Sequence, residues 1–207
     1  RVILPDGLAE NYTVRAIYTH VEFAFTSSIG AIGGGATDAD LLKFLTAYLR
    51  SPIVTFLLVM TGYSVIGERP RIAIKDMRNF PFCAPEHHPD PMAAKEIAAK
   101  VAAIFDGLAK IPEWQRGHSY FEKRKILDDL VFDYFRLSPS DRLLVGDIVG
   151  VVAASIQPAD YARLVTPLLH RPSKNEIAGY IDILARELED WRKRSGGIGG
   201  LKIDAVV

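Results

Sequence analysis

The chain has 207 residues, and its 25 lysines and arginines balance its 25 aspartates and glutamates. About half of the residues (49%) are apolar, which is enough for a sizeable buried core in one large domain or two small ones. This neutrality excludes a global positive field as a sign of nucleic-acid binding, although a local basic face would not show in the sum. The lone cysteine, Cys83, excludes an internal disulfide and a multi-cysteine zinc site, so we expect a reducing, cytoplasmic setting.

Strand patterns dominate the start of the chain. Residues 1–5 (RVILP) are β-rich, residues 14–25 alternate in polarity, and residues 28–35 read as a short strand that ends in glycines. A further strand is predicted at residues 71–77. With the helical region described next, they predict an α+β (α/β-like) domain over residues 1–85, built on a mostly antiparallel sheet.

A helix is predicted over residues 37–50, with Thr37 and Asp40 as a capping box. Its apolar face comprises Leu41, Leu42, Leu45 and Leu49. Pro52 then kinks or restarts the helix, and the apolar run Ile53–Met60 is far too short to span a bilayer. We therefore expect a buried helix and no membrane partner.

Residues 86–207 are predicted to be mainly helical, ending in a closing strand after a glycine-rich linker. Capping patterns mark two helix starts, at Ser138 with Asp141 and at Ser173 with Glu176. A short helix is expected at residues 158–165. One long helix carries an apolar stripe made of Ile126, Leu127, Leu130, Val131 and Tyr134. Because the chain starts and ends on strand-like segments, we expect a piece of a longer protein.

Two segments between the regions suggest chemistry. Asn79–Phe82 (NFPF) is one residue away from the Asn-Pro-Pro-aromatic loop of amino-methyltransferases, but Phe80 replaces the first proline, so we predict no catalytic residue there. The segment 83–90 contains a cysteine, two adjacent histidines and two acidic residues, all possible metal ligands. Adjacent histidines on an extended chain point apart, so we predict no metal site, and a small metal-dependent enzyme stays open as an alternative.

A local basic cluster offers more. Arg69, Arg71, Lys75 and Arg78 fall within ten residues and follow Tyr63 and Ser64, a mixture that can bind phosphates and base edges. The alternative interpretation is an ordinary solvated strand edge, where charges discourage aggregation.

The order of these segments resembles the C-terminal target-recognition region of adenine-N6 DNA methyltransferases of restriction-modification systems, the Taq and Eco57I-like class. Residues 1–7, 21–35 and 38–82 match its order of strand, helix, loop and strand. The matching positions are Leu41, Leu42, Leu45, Leu49 and Ser51, then Gly67, Glu68 and Arg69, then Phe80, Pro81 and Phe82. Residues 125–149, in which Tyr134 precedes Leu137 and Ser138, are also similar to a segment of that family.

The resemblance implies sequence-specific recognition of double-stranded DNA. In that family the cofactor-binding motifs and the catalytic loop belong to a preceding domain, so this chain would contain no catalytic, cofactor-binding or metal-binding residue. S-adenosylmethionine would be bound by the missing upstream methyltransferase domain, and the parent protein would be a site-specific DNA adenine methyltransferase, with or without endonuclease activity. The DNA-binding residues would be Tyr63, Ser64, Arg69, Arg71, Lys75 and Arg78. A second class of function also stays open, a helical protein-interaction module of a larger complex.

Overall fold

The computed structural model describes residues 1–9, 12–22, 24, 26, 28–61, 79–156 and 172–194. Within these ranges the chain forms an antiparallel sheet of three strands and six helices, so the predicted α+β class is confirmed. The strands are β1 (Val2–Pro5), β2 (Ile17–Tyr18) and β3 (Ile29–Ile32). The helices are α1 (Ala39–Arg50), α2 (Pro52–Thr61), α3 (Pro91–Ala109), α4 (Glu113–Tyr134), α5 (Pro139–Asp147) and α6 (Lys174–Arg194).

Shorter helical pieces complete the architecture. Turns of 3-10 helix lie at Ala36–Asp38 and Pro85–His87, and a π-helical segment, Ile148–Val152, with a last turn, Ala153–Ser155, directly follows α5. The predicted strands at 71–77 and 201–207 and the predicted helix at 158–165 lie outside the described residues.

The chain divides into two compact units, Arg1–Leu164 and Val165–Val207. This division falls at a different place from the predicted domain boundary between residues 85 and 86. In the first unit the hydroxyl of Tyr12 donates a hydrogen bond to the carbonyl of Ile156 (2.9 Å). The sheet, the helices α1–α4 and Ala153 share one hydrophobic core, while α6 is the described helix of the second unit.

The sheet has the order β2-β1-β3, with β1 antiparallel to both neighbours. Val2 and Leu4 of β1 point into the core because successive side chains of a strand alternate between its faces. Of the described residues in the predicted strand at 14–25, only Ile17 and Tyr18 pair with β1, so β2 is shorter than expected. Beyond them the backbone of Thr19 exchanges hydrogen bonds with Arg1, both at 2.9 Å, and the ladder stops.

Helix α1 lies at the centre of the first unit, packed against α3, α4 and the sheet. Its N-cap residue is Asp38, one residue after the predicted cap Thr37, and the Thr37/Asp40 box does not form. Instead, Asp38 Oδ2 accepts the backbone N–H of Gly35 at 2.7 Å. Burial extends beyond the predicted apolar face to Lys43 and Thr46, so the helix is enclosed on most sides.

A 54° bend separates α1 from α2 at Ser51 and Pro52, as expected for proline at the start of a helix. Seven of the 12 residues of α1 and five of the 10 residues of α2 are buried. Among the described residues no single helix is long and apolar enough to cross a membrane, and only α1 and α2 taken together, despite the bend, meet the criterion of length and composition.

The capping patterns predicted for two later helices are confirmed. At the start of α5, Asp141 Oδ2 accepts the N–H of Ser138 (3.0 Å) and Ser138 Oγ accepts the N–H of Asp141 (3.2 Å). Ser173 and Glu176 make the same exchange before α6. Of the apolar stripe predicted on α4, Leu127, Val131 and Tyr134 are buried but Ile126 is exposed.

Candidate functional site

All six residues predicted to contact DNA, Tyr63, Ser64, Arg69, Arg71, Lys75 and Arg78, lie outside the described residues, within the range 62–78. The residues that flank this range are described. Helix α2 ends at Thr61 on one side, and the chain resumes at Asn79 on the other. For the candidate DNA interface, the structure therefore describes the residues at the two ends of range 62–78.

The returning chain, residues 80–83, is fastened to the core by two tyrosines. Tyr48 of α1 donates its hydroxyl hydrogen to the carbonyl of Pro81, and Tyr134 of α4 donates to the carbonyl of Cys83, both at 2.7 Å. The ring of Phe82 lies 5.6 Å from the ring of Tyr48 and 6.3 Å from that of Phe44. Burial raises the pKa of Tyr134 to about 12, so its hydroxyl keeps its proton and stays a donor at neutral pH.

The histidine-rich segment 83–90 has a structural role. His88 is buried: its Nδ1 accepts the N–H of Asp90 (3.0 Å), and its Nε2–H donates to the carbonyl of Tyr134 (2.8 Å). Asp90 in turn caps α3 by accepting the N–H of Ala93. His87 is exposed, and no group of three or more candidate ligands that could hold a metal ion occurs among the described residues, which include the whole segment.

The structure also forms a cleft that the sequence did not reveal. It has a volume of about 450 Å³ and lies between β2 with its following residues, the polar side of α1, the end of α3 and the first half of α4. Its ionisable side chains are His20, Lys43, Arg50, Asp106, Arg116, Tyr18 and Tyr120. Basic and aromatic groups therefore face one opening beside the edge strand of the sheet.

Lys43 is the buried cation of this cleft, with a side chain that is 9% exposed. Its Nζ lies 2.8 Å from Asp106 Oδ1 and 3.4 Å from Asp40 Oδ1. Burial alone would lower the pKa of Lys43, but the two carboxylates outweigh that effect and raise it. Lys43 is thus charged and already neutralised, so it serves to join α1 to α3 across the cleft floor.

Arg50 and Arg116 are held differently, by carbonyl oxygens and by an aromatic ring. The guanidinium of Arg50 lies 3.8 Å from the ring centroid of Tyr120, and its Nη1 donates to the carbonyl of Ala16 (3.3 Å). Arg116 donates to the carbonyls of Ile111 (2.8 Å) and Ala109 (3.1 Å) just after and at the end of α3. In the described part of the chain neither guanidinium forms an ion pair with a carboxylate.

An acidic residue, Asp128, lies near Arg50. Asp128 of α4 is 20% exposed, and burial raises its pKa to about 6, against the opposing effect of Arg124, whose Nε is 3.7 Å away. The positive charge of Arg50, like that of Arg124, lowers the pKa of Asp128. Burial raises the pKa of the neighbouring Tyr120 as well.

Sequence reasoning missed Arg50, Arg116 and Tyr120 because the cleft is assembled from four separate elements. Two signals were present. The first is that Lys43, Thr46 and Arg50 recur at helical spacing on α1, which is otherwise mostly apolar. The second is that Arg116 and Tyr120 are four residues apart on α4, so they lie on the same face of that helix. A polar stripe on a buried helix indicates that something other than apolar side chains lies opposite it.

Comparison of the chain with protein-family models, with curated proteins and with solved structures finds no match. The order of its sequence motifs and the geometry described above are therefore the grounds on which a function can be proposed.

Proposed function

We propose that this chain is the DNA-recognition region of an adenine-N6 DNA methyltransferase of a restriction-modification system, with the catalytic domain outside this chain. The observation that carries the proposal is the order of the motifs. A Leu-Leu-x-x-Leu-x-x-x-Leu-x-Ser core at residues 41–51 is followed by Gly67, Glu68 and Arg69 and then by Phe80, Pro81 and Phe82. Residues 125–149 extend the likeness into the later helices.

The packing of the described motif residues is consistent with a scaffold for recognition. Leu42 and Leu49 of α1 are buried, as is Ser51 between α1 and α2, and Phe82 packs on Tyr48. Range 62–78 is thus attached at each end to a fixed part of the first unit. Binding residues are commonly carried on segments that a rigid scaffold positions.

The charge of that range supports DNA as the partner. Residues 62–78 contain four cations and two anions in a chain whose total charge is zero. In the proposed mechanism Arg69, Arg71, Lys75 and Arg78 contact phosphates and set the register, while Tyr63 or Ser64 approaches base edges in the major groove.

Catalysis would take place elsewhere in the parent protein. The upstream methyltransferase domain would bind S-adenosylmethionine, and the target adenine would be flipped out of the duplex toward it. This chain would then supply affinity and sequence choice without itself being an enzyme.

The test is to titrate the chain, alone and joined to its native upstream sequence, with a randomised duplex library at low and moderate salt and to sequence the retained fraction. We expect one short site to be enriched. Replacing Arg69 and Arg71 by alanine should weaken binding to all sequences and lower the salt slope by about 2, one for each lost phosphate contact.

A matched control replaces Lys95 and Lys123, which are exposed on α3 and α4, by alanine. This control variant changes the net charge by the same amount, but its DNA binding should have the same salt slope as that of the wild-type protein. If both double variants behave alike, the placement of the contacts is wrong. If neither version of the protein retains any DNA, the proposal fails and a helical protein-interaction module becomes the better reading.

A further inference from the structure

We propose that Arg50 and Arg116 form a phosphate-binding site in the cleft beside β2, and that its ligand is a backbone phosphodiester of duplex DNA. The inference rests on the proposed function for its choice of ligand. It places a second contact to DNA outside range 62–78, on residues that no sequence motif singled out.

The first ground is uncompensated charge. Two other arginines of the first unit have a carboxylate partner, Arg124 with Asp128 and Arg142 with Asp133. Arg50 and Arg116 have none in the described part of the chain, yet both line the same cleft. Neither guanidinium is therefore neutralised by a direct ion pair within the described residues, although the charges of Arg50 and Asp128 do interact, and such groups favour the binding of an anion.

The second ground is that both side chains are already fixed. Each guanidinium has five N–H donors. Arg50 uses one of these donors on Ala16 and stacks on Tyr120, and Arg116 uses two on the end of α3. The remaining donors have no partner among the described residues and can bind an anion, and a fixed guanidinium loses less conformational entropy on binding than a mobile one.

The third ground is the identity of the neighbouring groups. Lys43 is neutralised by Asp106 and Asp40, so it does not compete for an incoming anion. His20 is exposed on the rim and can add a donor. Arginine is well suited to phosphate because its planar donors match two phosphate oxygens at once.

The fourth ground concerns the source of the phosphate. The cleft opens beside the edge strand, with Ile17 (52% exposed) and Val21 (59% exposed) on its rim, so a chain can enter and leave on either side of a bound phosphate. Arg50 is also the last residue of α1, and α2 then leads directly to the range with the proposed base contacts. A backbone phosphate of the same duplex fits both features better than a small free anion.

The experiment measures duplex affinity at several salt concentrations for the wild-type chain and for Arg50→Gln, Arg116→Gln and Arg50→Lys. The matched control is Arg15→Gln, which removes an exposed arginine that does not line the cleft. Circular dichroism and thermal unfolding establish that each variant is folded. Arg50→Lys keeps the charge, and Arg116→Gln, at an exposed position, is the decisive variant if Arg50→Gln unfolds.

We expect each glutamine variant in the cleft to lower the salt slope by about 1, so that its deficit relative to wild type shrinks by about threefold to fourfold between 50 and 200 mM salt. Arg50→Lys and Arg15→Gln should keep the wild-type slope. A wild-type slope in both cleft glutamine variants, with duplex binding intact, would overturn the inference and leave the proposed function standing.

A second readout separates the sources of phosphate. The arginine side-chain N–Hε resonances of the wild-type chain are followed by NMR during titration with the duplex, with inorganic phosphate and with a mononucleotide. Saturating shifts of Arg50 and Arg116 with the duplex support the inference. Shifts with inorganic phosphate or the mononucleotide and none with the duplex would overturn DNA as the ligand, and an absence of duplex binding in every assay would overturn the proposed function itself.

Discussion

The two ends of α4 differ in how far their large apolar side chains are buried. At the C-terminal end Leu127, Val131 and Tyr134 are buried in the core. At the N-terminal end Trp114 is 82% exposed and Phe121 is 69% exposed. One continuous helix therefore has its large apolar side chains in the core at one end and in solvent at the other.

The difference follows from what lies opposite each end. The C-terminal end packs among α1 and the returning segment 80–83, where Tyr134 meets Phe44 at 4.3 Å between ring centroids. The N-terminal end borders the cleft, and there Arg116 and Tyr120 line the opening. Substitutions at the two ends should therefore separate stability from binding.

The largest expected effect is at the core end. Leu127→Ala should lower the free energy of unfolding by about 2–5 kcal/mol, because it removes buried methyl groups and leaves a cavity that the core can fill only in part. Leu127 is 1% exposed. Chemical denaturation monitored by circular dichroism measures this loss.

The control is Phe121→Ala, on the same helix and in solvent, which should change the free energy of unfolding by no more than about 0.5 kcal/mol. Equal losses in the two variants would contradict the contrast between the ends of α4.

A smaller effect is expected from Tyr134→Phe, which keeps the buried ring but removes the hydroxyl that donates to the carbonyl of Cys83. The free energy of unfolding should fall by about 1–3 kcal/mol, because the carbonyl loses its partner in a poorly solvated place. Tyr120→Phe is the matched control on the same helix, since no hydrogen bond of its hydroxyl is present in the described structure. A loss in Tyr120→Phe as large as in Tyr134→Phe would show that the Cys83 contact is not the cause.

Local sequence rules predicted what local chemistry decides. The capping boxes at Ser138 and Ser173 and the strands β1 and β3 depend on neighbours within a few residues, and they were found. The burial of Lys43 was not predicted, because it depends on Asp106, which is 63 residues away. The shortness of β2 and the exposure of Ile126 are likewise set by tertiary partners.

The candidate sites divide in the same way. The basic residues of range 62–78 could be selected from sequence because they are close together along the chain. Arg50 and Arg116 could not, because only the packing of α1 against α3 and α4 brings them to one cleft. The spacing of polar residues along a helix predicts which face is polar, but it does not predict which distant element packs against that face.

The smallest expected effect concerns Asp128, where α4 passes from cleft to core. Its pKa is raised by burial to about 6 in the folded protein, above the ordinary value of about 3.9 expected for the unfolded chain. The folded state thus binds the proton of the Asp128 carboxyl more tightly than the unfolded chain does. The stabilisation of the folded state by this protonation is fully present below about pH 4 and is lost as the pH rises through about 6.

Asp128→Asn removes this titration. Relative to wild type, the free energy of unfolding of the variant should rise between pH 4 and 6 by an amount on the order of 1 kcal/mol. The lost ion pair with Arg124 offsets little of it, because Arg124 is 38% exposed and the atoms are 3.7 Å apart. Glu122→Gln, on the same helix and 59% exposed, is the control, because Glu122 is not among the groups that act on Asp128. Denaturant unfolding at half-unit pH steps measures all three proteins, and parallel profiles for wild type and Asp128→Asn would mean that Asp128 ionises in the folded protein as it does in the unfolded chain.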